Sequence, residues 1–93
     1  MMDYHFIGWN NENGHDKIWV SIKLMPGKWV TIWGRRGAKL QHKIVTSGFD
    51  IDKLVRSKLN KGYKRKEEYD LRDIYPEFEQ DLEKTAFWAM LKV

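Results

Sequence analysis

Apolar and polar residues alternate along the first half of this chain with the period of β-strands, and the spacing lengthens to that of helices in the second half. Ile18, Val20, Ile22 and Leu24 fall on one side of an extended run, with Trp19, Ser21 and Lys23 on the other, the pattern of a half-buried strand. Val30 and Ile32 oppose Trp29, Thr31 and Trp33 in the next run. Leu40, His42, Ile44 and Thr46 oppose Gln41, Lys43 and Val45 in the one after, and the apolar, aromatic stretch from Tyr4 to Trp9 supplies a first strand. Turn residues separate them. Asn13-Gly14 is a reversal signal, Pro26-Gly27 fits the centre of a type II turn, and Gly34 to Gly37 breaks the third run. Short strands joined this way predict an antiparallel meander.

Beyond residue 50 one stripe of a helix emerges from Ile51, Leu54, Val55 and Leu59, with Asp50 as the expected N-cap and Gly62 as the glycine past its end. Lys53, Arg56 and Lys61 then face outward. Lys64 to Tyr75 is charged and aperiodic and reads as a connector. Pro76 starts a second helix, whose stripe is Phe78, Leu82, Thr85, Ala86 and Ala89 and whose first turns carry Glu77, Glu79, Asp81 and Glu83, complementing the helix dipole. The expected fold is α+β: an antiparallel sheet of about four strands, one helix across it and a second, C-terminal helix at 76–91, in a single domain spanning 1–93.

Composition narrows the chemistry. A chain of 93 residues with 42% hydrophobic and 14% aromatic positions is too apolar for disorder, and its modest core leans on large rings. The absence of cysteine removes disulfides, thiolate metal sites and a cysteine nucleophile, and fits a reducing cytosol. No apolar run approaches the roughly 18 residues that span a bilayer, and the first residues lack the basic and apolar regions of a secretory signal. The expected location is therefore cytoplasmic, nucleoid-associated if bound to DNA, with no membrane partner. His5, His15 and His42 lack metal-ligand spacing, and neither Ser47 nor Ser57 has a nucleophile context. No catalytic residue, metal or cofactor is expected, and the chain does not read as an enzyme.

Charge points to partners instead. The net +4 conceals a segregated distribution, for Lys28 to Lys66 holds twelve Lys and Arg against only Asp50 and Asp52. Arg35, Arg36 and Lys39 crowd a loop bounded by Gly34 and Gly37, where glycines allow close approach of a ligand and guanidinium forks match phosphate oxygens. Lys53, Arg56, Lys61, Lys64, Arg65 and Lys66 cluster around the helix end, more cations than dipole chemistry calls for. Trp33, at a strand end beside the glycine-flanked loop, is either a stacking platform for a sugar or base or a cap on the small core. Trp29 is a weaker second platform, and Trp9, Trp19 and Trp88 read as core.

The run Trp33-Gly34-Arg35-Arg36-Gly37, with Gln41 following and Lys61-Gly62-Tyr63 closing the helix, resembles the signature of the WGR domain family over about residues 18 to 63. Leu40 stands where many members carry another glycine. The resemblance implies a twisted antiparallel sheet with a helix packed across it. In poly(ADP-ribose) polymerases such domains contact DNA at strand breaks, the motif tryptophan packing on sugar at the DNA end and the motif arginine helping to bridge to neighbouring domains. In bacteria and phages the domain also occurs alone. The polymerase's catalytic domain has no counterpart in these residues, so no transferase activity is implied.

The function expected is sequence-independent binding of the DNA backbone or strand end. The candidate residues are Trp33, Gly34, Arg35, Arg36, Lys39, Gln41 and Lys43 on and after the loop, then Lys53, Arg56, Lys61, Lys64, Arg65 and Lys66. RNA is a third reading, since the same ingredients do not discriminate by sugar. The rival is a protein-interaction module. Phe87, Trp88, Met90 and Leu91 exceed one narrow stripe and would form a dimer seam or partner site, while the acidic helix offers a surface to a basic partner.

Overall fold

The computed structural model describes residues 3–74 and 76–92. It is α+β, with strands β1 (Tyr4–Asn10), β2 (Lys17–Met25), β3 (Lys28–Arg35), β4 (Gln41–Val45) and β5 (Lys64–Arg65), and helices α1 (Gly48–Asn60), α2 (Glu68–Ile74) and α3 (Phe78–Leu91). The sheet is antiparallel in the order β4-β3-β2-β1-β5. The meander appears as expected. The connector does not: its first residues form β5 on the free edge of β1, and α2 follows. Tyr75, which ended the expected connector, lies outside the described residues.

Turn residues do what their backbone freedom allows. Asn13 and Gly14 both hold positive φ between Glu12 and His15, as a type I′ turn requires. Gly27 takes positive φ after Pro26, the second central position of a type II turn. Helix α1 begins earlier than Asp50. Ser47 is its N-cap, and its side chain accepts the Asp50 backbone N–H at 3.3 Å. At the other end Gly62, with φ +96°, lets its own N–H reach Leu59 and that of Tyr63 reach Lys58, the paired bonds of a Schellman ending.

Both faces of the sheet are covered. Ile7, Ile18, Val20, Ile22, Val30 and Ile32 pack against Leu71 of α2 and against Leu82, Ala86 and Ala89 of α3. Phe6, Trp19 and Val45 pack against Ile51 and Val55 of α1, flanked by half-buried Trp29, Trp33, Leu54 and Tyr63. The side of β2 and β3 that carries Trp19, Trp29 and Trp33 is therefore a second core. Leu59, assigned to the inward stripe of α1, is exposed instead. A bulge in β1 between Tyr4 and Phe6 shifts the side-chain parity, so that Tyr4 and Ile7 both join the α2/α3 face.

On α3 the buried stripe is Leu82, Ala86 and Ala89; the side chain of Phe78, expected to begin it, lies outside those described. Trp88 is 61% exposed, against its assignment to the core. It sits about 120° around the helix from that stripe at 100° per residue. Among the described residues, no helix is long and apolar enough to cross a membrane.

Candidate nucleic-acid interface

Strand direction collects cations that lie far apart in sequence. Lys17 pairs with Asn10 and Arg35, Trp33 pairs with Gln41, and Lys64 pairs with Trp9. The same end of the sheet thus presents Lys17, Arg35, Arg36, Lys39 and Lys64. Helix α1 ends there too, with Lys61 as its C-cap and the Lys61 carbonyl accepting from Asn10 Nδ2 at 3.4 Å.

Some of these cations are already engaged. Arg36 Nε lies 2.8 Å from Asp16 Oδ2, and the Arg36 backbone N–H donates to the Asp16 carbonyl at 2.9 Å. Asp16 Oδ1 also accepts the Trp9 indole N–H at 2.9 Å, so Arg36 pins the motif loop to the β1–β2 turn. Lys64 Nζ is 2.9 Å from Glu12, and that contact holds the Glu12 carboxyl below its ordinary range. Arg65 lies over the Phe6 ring at 4.8 Å and Lys66 over the Trp9 ring at 5.7 Å, on opposite faces of the sheet. Lys64, Arg65 and Lys66 are on the sheet edge opposite β4, so they do not join Lys43 or Lys53 in one patch. Arg35 Nη2 donates to the Gly14 carbonyl at 3.4 Å.

From the basic end a groove of about 690 Å³ runs between α1 and the β3–β4 edge of the sheet. Trp33, Lys43, Lys53 and Lys58 line it, with Asp50 as its acid and Trp19 in its floor. Trp33 packs against the α1-side core, as the core-cap reading expected, and also lines the groove. Among the described residues Lys43, Lys53 and Lys61 have no ion-pair partner. Arg56 is exposed on α1, outside the groove.

Lys58 and Lys17 are the residues that sequence reasoning missed. The Lys58 ammonium stands 5.8 Å from the Trp19 ring and 5.9 Å from that of Tyr63. Burial lowers its pKa, and the charges of Lys61 and Lys17 lower it further. A cation disfavoured by burial and by the charges of other cations is relieved by an anion. Lys58 adjoins the inward stripe of α1, and Lys17 lies outside the basic run; only their charge marked them.

The loop expected from Gly34 to Gly37 is shorter, because Gly34 and Arg35 still pair with β2 as part of β3, and both motif glycines have structural work. A Cβ on Gly34 would stand 3.0 Å from Leu40 Cδ2, so the glycine admits Leu40 against the core. Gly37 holds φ +85° in the turn.

Ser21 Oγ and His5 Nδ1 share a hydrogen bond of 2.9 Å, and His5 Nε2 lies 3.6 Å from Asp52 Oδ1. The residue types are those of a hydrolytic triad, yet Ser21 is 0% exposed in mid-strand, out of reach of a substrate carbon. The array ties β1 to β2 and α1. Among the described residues no cluster of His, Asp and Glu is arranged to hold a metal ion. Compared with family models, curated proteins and solved structures, the chain matches none.

Proposed function

We propose that this chain is a WGR-like domain that binds the phosphate backbone of nucleic acid without sequence preference, by the basic end of its sheet and the groove beside α1. The observation that carries the reading is that Trp33, Lys43, Lys53 and Lys58 line one groove, beside the sheet end that carries Lys17 and Arg35 and the close of α1 at Lys61. Phosphate contacts of this kind position a polyanion and carry no base information. The half-buried Trp33 ring offers a flat apolar surface to a sugar or base beside those cations.

A gel-shift series over salt concentration tests this with two triple variants. Lys43→Gln/Lys53→Gln/Lys58→Gln should reduce the slope of log affinity against log salt by about 0.9 per lost contact on duplex DNA. Lys64→Gln/Arg65→Gln/Lys66→Gln, on the far edge, should change it less. The reverse order would move the footprint to β5, and no affinity of the parent for any DNA or RNA at low salt would end the reading. Trp33→Ala should weaken binding by about 1–3 kcal/mol and, because the ring is half-buried, cost roughly half of the about 3–5 kcal/mol typical of a core tryptophan.

A protein-interaction reading draws on α3, where Phe87, Trp88, Met90 and Leu91 are 56%, 61%, 45% and 63% exposed. Sedimentation across a concentration series separates it: a monomer throughout removes the dimer form of that reading.

A further inference from the structure

The open edge β4 has a second groove on its other side. Leu40 and His42 alternate with Gln41 and Lys43, so neighbouring residues of one strand face opposite sides of the sheet. On the α3 side Lys39, Leu40 and His42 meet Lys84, Trp88 and Lys92, which follow one another at four-residue intervals along one flank of the helix. Together they line a groove of about 490 Å³, with Asp81 the acid among its lining residues. Trp88 is largely exposed there. Among the described residues, Lys39, Lys84 and Lys92 have no ion-pair partner. A cation, an exposed ring and a second cation in register are the components of a site that takes phosphates and stacks a base.

We propose that this groove is a second subsite for nucleic acid, and that it takes a single strand passing around the β4 edge from the groove beside α1. The inference rests on the proposed reading of that first groove. Three features select the ligand. The edge strand β4 lines both grooves, with Lys43 in one and His42 in the other, and duplex DNA, stiff over about 150 base pairs, does not turn around a single edge strand, whereas a single strand of nucleic acid does. The exposed ring shares its groove with Lys39, Lys84 and Lys92, which suits a base between two phosphates better than an apolar partner surface. The surplus apolar residues Phe87 and Met90 line a separate groove toward Met25 and Pro26, and Phe87 braces the Trp88 ring edge-on at 6.2 Å between centroids, while Trp88 itself lines the groove that holds the lysines.

The test uses the full chain with oligothymidylates of about 6 and about 16 nucleotides, the range one small domain occupies, and a short DNA duplex. Lys84→Gln/Lys92→Gln should weaken binding of the longer strand and lower its salt slope by about 1.4, at about 0.7 per phosphate on single strands. Trp88→Ala should weaken it about 5- to 150-fold. Both variants should bind the duplex like the parent, and circular dichroism should report the parent fold, since all three side chains are exposed.

If the variants bind the longer strand like the parent while Lys43→Gln/Lys53→Gln weakens it, the first groove stands and this inference falls. Equal losses on duplex and single strand would overturn the choice of a single strand. Polyglutamate that competes as well as oligothymidylate, with no effect of Trp88→Ala, would assign the groove to an acidic protein. A parent that binds no nucleic acid removes both readings together.

Discussion

Asp16 accepts two side-chain hydrogen bonds, from Trp9 Nε1 at 2.9 Å and from Arg36 Nε at 2.8 Å, and Asp16→Ala removes both while sparing the backbone bond to Arg36. Both bonds are to the charged Asp16 carboxylate, where a buried bond is worth about 1.5–3 kcal/mol and an exposed one less. Arg36 and Asp16 are 43% and 25% exposed, so solvent screening keeps the ion pair at the lower end of that span. The expected loss is about 2–3 kcal/mol, or about 8–24 °C in Tm for a chain of this size. The same substitution removes an acid from the basic end of the sheet. Across about 10 Å of water one charge changes binding by about 0.4 kcal/mol, so nucleic-acid affinity should rise about twofold at low salt and the gain should fade as salt is added. Asp16→Asn, which keeps an acceptor for Trp9, should lose less stability. Thermal melts and gel shifts on the same samples give both signs. A melting temperature equal to the parent's would refute the structural role of the contact. An affinity that falls along with stability would show that Asp16 holds Arg36 in place for the ligand.

Deleting residues 86–93 removes Ala86 and Ala89 from the core against β2 and β3, so circular dichroism should report loss of the fold rather than a folded, smaller domain. Leu82→Ala, at a site with no exposed surface, should cost about 2–5 kcal/mol in denaturant melts; a cost below 1 kcal/mol would show that α3 is not part of the core. Burial and the nearby charges of Glu79, Glu68 and Glu83 push the Tyr4 hydroxyl up to about 12 from 10.0. Its folded pKa is raised, so the stability it contributes is present below pH 10 and is lost as pH rises toward 12. In an alkaline absorbance titration Tyr4→Phe should therefore remove the component that ionises last, while Tyr63, whose pKa burial also raises, still ionises late.

Where a residue's local period and its tertiary environment agree, the sequence was sufficient. The alternation of Ile18 to Leu24, the turn residues Asn13-Gly14 and Pro26-Gly27, and the stripe of α1 through Ile51 and Val55 depend on contacts within one or two elements. The charge of the basic run was equally plain, because charge is a property of composition. Other features are decided at longer range. Two residues of β5 carry no periodic signal and become a strand only because β1 offers a free edge. Helix α2 reads as a charged connector because Leu71 is the one buried side chain among its described residues. Whether the Trp19 side of the sheet meets water depends on α1 crossing it. Lys17 and Lys58 reach the site for a related reason: antiparallel pairing brings one end of each strand to the same rim, and α1 finishes there. Two grooves flank β4 because that strand is an edge with a helix on either side of the sheet. Sequence determines which side chains share a face of an element; only the tertiary structure decides what covers that face, because covering it takes contacts between residues that are distant along the chain.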